Sequence, residues 1–262
     1  METILLNFLF QVLSIVGVFY VFGLLLWLLN MLFYKMLGGS AYGFCIATGF
    51  LGTPIHELGH AFFCLIFMHK IKEIRLFRPN NNDGVLGYVS HSYNKKNVYQ
   101  QIGNFFIGIG PILFGSAVMF LLMALLIPDT FDKVFSSAGL TTIETFLSNL
   151  WKTVTEIFSG ENLGDYKWWI FIVAAVLVTI HMTLSPADVK GSLVGMGYIL
   201  VILLLVNVAL YFLAPAFQKE MTNFLVDKAV AVASLLSLAI IISVVIDLIT
   251  FIITSIIKIF RK

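Results

Sequence analysis

His56-Glu57-Leu58-Gly59-His60 sets two imidazoles four residues apart, with a carboxylate beside the first. On a helix, residues at that spacing share a face and lie roughly 6 Å apart, so both rings reach one cation. Tetrahedral Zn²⁺ suits two imidazoles, a third protein ligand and an open, water-occupied position. Glu57 is then placed to act on that water as a general base. Five His and seven Glu in 262 residues would produce this pattern in roughly one of 400 shuffled chains. The motif also lies in an apolar run, where each ionisable side chain costs on the order of 3 kcal/mol unless paired, ligated or hydrated. A metal removes that cost. Two polar residues packed against a water-filled cavity are the alternative.

A catalytic zinc needs its third ligand, and His69, Glu73, His91, His181, Asp188 and Asp247 are the candidates. Asp188 is best placed, in Ser185-Pro186-Ala187-Asp188-Val189-Lys190-Gly191, where Pro186 is expected to end one helix and Gly191 to allow a turn back. His69 is nine residues beyond His60, roughly 13 Å along a continuous helix, and is not expected to close the same site. Asp247, among Val, Ile and Leu, is as readily a structural partner as a functional group. Pro54, two residues before His56, is expected to kink its helix. Cys45 and Cys64, the two cysteines, are 19 residues apart in one apolar run and are read as small hydrophobes that do not pair.

The elements that must position these groups are membrane helices. The chain is 60% hydrophobic and 11% charged, with a mean hydropathy of +0.98, which excludes an ordinary soluble globule. A net charge of +2 gives no reason to expect a nucleic-acid partner. Six apolar runs of spanning length fall near residues 8–34, 42–68, 99–127, 168–186, 191–213 and 229–257. The expected fold is therefore an all-α polytopic membrane protein of about six transmembrane helices, with a small cytoplasmic β-hairpin and an amphipathic interfacial helix. Met1-Glu2-Thr3 lacks a basic n-region and the first run is too long for a cleaved signal, so that run is expected to stay.

Residues 70–78 and 85–93 read as extended stretches around a turn cluster of Pro79, three Asn, Asp83 and Gly84, hence a β-hairpin. Within the acidic segment 129–167, Phe146, Leu147, Leu150, Trp151, Val154 and Ile157 recur at helical spacing. Thr141 with Glu144 fits a capping box and Gly160 a stop. This helix is read as lying on the membrane face, or as a lid over a substrate entrance. Six crossings would put both termini, the hairpin and the 187–190 turn on one side. That side holds ten Lys and Arg against six on the other (Lys35, Lys133, Lys152, Lys167, Lys219 and Lys228), so it is expected to be cytoplasmic.

The arrangement resembles the site-2 protease family of intramembrane zinc metalloproteases. The likeness is carried by HELGH at 56–60 in a membrane helix, the polar hairpin after it, Gly108-Ile109-Gly110-Pro111 in the next helix, and Pro-x-Asp-x-x-Gly at 186–191. It spans roughly residues 42–192. It implies a metalloprotease core at 42–192, preceded by an added helix at 1–41 and followed by added helices at 193–262. It also implies a metal-binding helix descending toward the cytoplasm, and Asp188 as third ligand, although Val189 stands where the family usually has Gly. The family's Asn about two turns before the Asp, thought to hold substrate or oxyanion, is replaced in this chain by His181. On a continuous helix His181 would share a face with Asp188. Asn104, upstream of Gly-Pro, is a second candidate for that role.

The expected activity is hydrolysis of peptide bonds in transmembrane segments or membrane-retained signal peptides. His56, His60 and Asp188 would hold Zn²⁺, Glu57 and His181 would be catalytic, and the partners would be a membrane-protein or signal-peptide substrate and the bilayer; nothing in the pattern specifies an oligomer. A substrate helix must unwind before attack. The alternation of Val85, Gly87, Val89, His91 and Tyr93 suggests a strand edge that takes the unwound segment by strand addition. Two other readings are a surface-acting membrane zincin with a Glu from a downstream helix as third ligand, and a non-catalytic membrane binding protein with structural zinc. Structural zinc usually has four protein ligands.

Overall fold

The computed structural model describes residues 2–79, 84–135 and 143–260. Helix α1 (Glu2–Val12) passes through a π-helical turn, Leu13–Gly17, into α2 (Val18–Leu37), and α3 (Ala41–Ile66) follows. Strands β1 (Lys70–Arg75) and β2 (Tyr88–Ser92) lead to α4 (Val98–Leu126), the short α5 (Pro128–Phe135), α6 (Ile143–Ile157) and α7 (Gly160–Leu163). Helices α8 (Tyr166–Thr179), α9 (Pro186–Leu213) and α10 (Pro215–Phe260) complete the chain.

Four helical stretches are long and apolar enough to cross a membrane: Ile4–Ile66, Val98–Leu126, Pro186–Leu213 and Pro215–Phe260. Their outer faces carry exposed Phe50, Leu125, Leu205 and Phe251, the surface of a protein solvated by lipid rather than water. The first stretch folds back at Gly38–Ser40, where Gly38 takes φ +56°, a left-handed conformation open to glycine at no steric cost. Phe33 packs on Phe44 and the Tyr34 hydroxyl reaches the Cys45 Sγ across this bend.

The six expected spans are not what forms. The run at 168–186 becomes α8, whose 14 residues extend only about 21 Å against a hydrocarbon core of about 30 Å. Nor does the chain turn back after it. Along α4, Met119 meets Thr179, Gly115 meets Met182, Gly108 meets Asp188 and Ser192, and Phe105 meets Gly195. That steady order means α8 and α9 run in one direction as a single passage interrupted at 180–185. Pro186 opens α9 at its first turn instead of closing α8, and Gly191 lies inside α9 rather than at a turn. His181 is in the interruption, so it does not share a helical face with Asp188.

This interruption changes the parity of the bundle. Thr222 of α10 bonds Gln11 of α1, and farther along Asp247 shares a small cavity with Leu29 and Asn30 of α2. Helix α10 therefore runs beside α1–α2 in the same sense, and Glu2 and Phe260 stand at opposite ends of the bundle. The expectation that both termini share a side rested on six crossings, and the helix directions give five passages. The boundary expected at 193 falls within α9. A buried network of Gln11, Asn207, Gln218 and Thr222 ties α1, α9 and α10 together.

Helix α4 is the axis of the core, with Phe105, Ile109, Ile112, Met119 and Met123 fully buried. The hairpin pairs Lys70 with Ser92, Ile71 with His91 and Ile74 with Val89, with an irregularity between Ile71 and Glu73. It is shorter than expected, because residues 84–87 leave the ladder and cross α3. The turn cluster Asn80–Asp83 and the Thr141 of the capping box lie outside the described residues. Helix α6 forms where the apolar stripe placed it, but it docks on α5 and α10, with Leu150 and Thr153 facing Ser234 and Ser237. Gly160 begins α7 rather than capping α6. Pro54 lies within α3, which continues unbroken to Ile66.

Candidate metal centre

Close helix approach at glycine brings the site together. A Cβ on Gly59 would lie 2.7 Å from the Gly110 carbonyl oxygen, so α3 and α4 touch backbone to backbone one residue before His60. A Cβ on Gly108 would lie 2.6 Å from the Asp188 carbonyl oxygen, which seats the start of α9 against the same stretch of α4. Gly108 and Gly110 thus admit one neighbouring helix each, and Gly52 admits the Leu177 carbonyl and the His181 ring to α3.

His56, His60 and Asp188 converge, with ligand atoms all within 4.8 Å of one another. The two His Nε2 atoms are 3.2 Å apart, Asp188 Oδ1 is 3.3 Å from His60 Nε2, and Asp188 Oδ2 is 3.9 Å from His56 Nε2. Each ring is held from behind. His56 Nδ1 donates to the His181 carbonyl and His60 Nδ1 to the Ile107 carbonyl, both at 2.7 Å. A carbonyl only accepts, so in the neutral rings the proton is on Nδ1 and the Nε2 lone pair faces the centre. Two lone pairs and a carboxylate therefore converge on one point, an arrangement that a cation satisfies.

Asp188 is fixed by a reciprocal capping box at the start of α9. Its backbone N–H donates to Ser185 Oγ at 3.1 Å, and its Oδ2 accepts from the Ser185 N–H at 2.8 Å. The carboxylate is oriented by its own helix cap. Glu57 is buried beside this group, its Cγ facing Gly87 so closely that a Cβ there would lie 2.8 Å away. Segment 84–87 thereby lies over α3 next to Glu57 and Thr53.

A cavity of about 860 Å³ opens on the centre, between α3, α4, the 180–191 segment and the hairpin. The ten residues given a metal, catalytic or substrate role from the sequence line it (His56, Glu57, His60, Val85, Gly87, Val89, His91, Asn104, His181 and Asp188), whereas the other ligand candidates His69, Glu73 and Asp247 do not. Their attachments differ. The His181 ring is engaged by Thr48 Oγ1 at 3.0 Å and Thr53 Oγ1 at 3.5 Å, while its carbonyl orients His56. Asn104 donates within its own helix, to the Gln101 carbonyl at 3.3 Å. Val89 and His91 belong to β2, whereas Val85 and Gly87 lie outside the ladder.

Sequence reasoning missed the holders: Thr48, Thr53 and the two carbonyls. It also missed that His91 faces His69, their Nδ1 atoms 3.0 Å apart, at a second convergence of ligand types with Cys64. Burial, reinforced by the neighbouring His69 and His60, pushes the His91 pKa down to about 4, so this ring is neutral at neutral pH. Asp247 stands apart, buried with one carboxylate oxygen unpartnered, in the small cavity beside Asn30 and Ile180.

No family model, curated protein or solved structure matches the chain.

Proposed function

We propose that the protein is an intramembrane zinc metalloprotease resembling the site-2 proteases, hydrolysing peptide bonds in transmembrane segments or membrane-retained signal peptides. The observation that carries this reading is three protein ligands, not four, converging at a cavity with Glu57 alongside. The spacing supports zinc: tetrahedral bonds of about 2.0–2.1 Å set donor atoms roughly 3.3 Å apart. His56, His60 and Asp188 have two of their three separations at 3.2 and 3.3 Å. A surface-acting zincin would need a Glu ligand, and among the described residues no Glu joins the cluster.

Bound zinc would supply Lewis acidity that makes water nucleophilic at neutral pH. Glu57 takes the proton of the attacking water and returns it to the leaving amine. The His181 and Ile107 carbonyls keep both imidazoles in the binding tautomer, and the Ser185 cap holds Asp188 in place. The His181 ring lines the cavity with Thr48 and Thr53 on its two nitrogens, and it would donate to a scissile carbonyl by exchanging one of these contacts. The edge of β2 turned away from β1, which pairs with no other strand among the described residues, receives the unwound substrate around Val89 by strand addition, with Val85, Gly87 and Asn104 lining the same cavity.

The hairpin end faces the cytoplasm. Loop 70–96 carries Lys70, Lys72, Arg75, Arg78, Lys95 and Lys96 against two acids, and short basic loops stay inside. The experiment that tests the function compares membrane proteomes of cells bearing wild type and Glu57→Gln. Accumulation of uncut single-pass proteins or signal-peptide remnants in the variant is the expected result, and identical proteomes would overturn it.

A further inference from the structure

Helix α3 carries a third ligand type on the line of its first two. Cys64 follows His60 by the same four residues that separate His60 from His56, and it is fully buried. At this level the chain turns back on itself. Helix α3 ends at Ile66, and Met68 takes φ +55°, a conformation that a non-glycine residue adopts only under constraint. The turn returns His69, whose N–H bonds the Cys64 carbonyl at 2.8 Å. His69 therefore leaves the line of α3 and, although it stays outside the first centre, meets other ligand types.

The start of α4 fastens this turn. Tyr99 donates to the Ile66 carbonyl at 2.8 Å and the Gln100 side chain to the Met68 carbonyl at 2.7 Å. His69 Nε2 in turn donates to the Gln100 carbonyl at 2.8 Å. His69 consequently carries its proton on Nε2 and presents a bare Nδ1 to His91 Nδ1, 3.0 Å away. Gly103 leaves room for the ring, since a Cβ there would lie 3.1 Å from His69 Nε2. The Cys64 Sγ lies within 4.8 Å of both His nitrogens.

This repeats the logic of the first centre one helical turn farther along α3. In each, ligands one turn apart on α3 or just past its end converge, and an α4 carbonyl, Ile107 or Gln100, fixes an imidazole tautomer. We infer that Cys64, His69 and His91 form a second metal site, for a thiophilic d10 cation of the zinc class, which staples strand β2 to the end of α3. One thiolate and two imidazoles suit such an ion and suit Mg²⁺ or Ca²⁺ poorly. Because β2 continues back to residues 84–87, the staple would hold the hairpin over Glu57.

Cobalt(II) distinguishes the two centres, because thiolate-to-cobalt charge transfer requires a cysteine ligand and the first centre has none. The full-length chain in detergent, stripped by chelator and titrated with Co²⁺, should develop this near-ultraviolet band. The band should survive Cys45→Ser and the His56→Ala/His60→Ala double variant. It should vanish in Cys64→Ser, while the visible cobalt absorption of the first centre persists and reports a folded chain. His91→Gln should weaken cobalt binding at the band at least tenfold. Absence of the band in wild type at saturating Co²⁺, or its persistence in Cys64→Ser, would overturn the inference and leave the first centre untouched.

Discussion

Gly59 and Gly110 meet with no side chain between their backbones, and His60 is the next residue after that contact on α3. A methyl group on either glycine would lie 2.7 Å from the other's carbonyl oxygen. Neither backbone is free to yield, so the pair sets how near α3 lies to α4 and with it where His60 meets the Ile107 carbonyl.

Gly59→Ala should therefore destabilise the protein by about 1–3 kcal/mol, the usual penalty of overpacking. It should also lower metal affinity at the first centre by at least tenfold. Gly43→Ala, in open space on the same helix, should do neither. Thermal unfolding with metal titration of both variants makes the check.

Ser185→Ala should cost about 1 kcal/mol through loss of the α9 cap. It should weaken metal binding as well, by about 10-fold to 100-fold, as expected when a ligand's orienting partner is removed. Asp188→Asn keeps the side chain's capacity to cap but removes its charge, and should lose more metal affinity than Ser185→Ala while unfolding at nearly the wild-type temperature.

Because α8 and α9 make one interrupted passage, tags on the two termini should be protected on opposite sides of sealed membrane vesicles. Protease digestion of inside-out vesicles should remove an amino-terminal tag and spare a carboxyl-terminal one. Removal of both would restore an even number of crossings.

Asp247→Asn should leave peptide hydrolysis within twofold of wild type and raise or preserve thermal stability. Its second carboxylate oxygen has no hydrogen-bond partner, and an amide is cheaper to bury than an unpaired charge. A large loss of hydrolysis with the fold intact would make Asp247 part of the machinery.

The first centre was legible because its determinants are local. HExxH needs only helical spacing to bring two rings together, and Asp188 stood out in its Pro186–Gly191 motif, although Pro186 opens a helix there instead of ending one. The interrupted passage was not legible. Two apolar runs around a proline read as two spans, and only the order of contacts along α4 reveals one direction, so the charge count rested on six crossings that the helix directions do not support. The Cys64 cluster was hidden for another reason. It depends on a left-handed Met68, which nothing in Phe67-Met68-His69 signals, although the repeat of ligand types at 56, 60 and 64 was in view.

The most direct measurement uses the Cys64→Ser chain, which leaves the first centre as the metal site under test. Its zinc content and its hydrolysis of a transmembrane peptide are measured with and without Glu57→Gln. One zinc per chain in both, with hydrolysis reduced about 10²–10⁴-fold by Glu57→Gln, is the expected result. Hydrolysis unchanged by Glu57→Gln, or no bound zinc in a chain that still cleaves, would contradict a metal-dependent protease at this site.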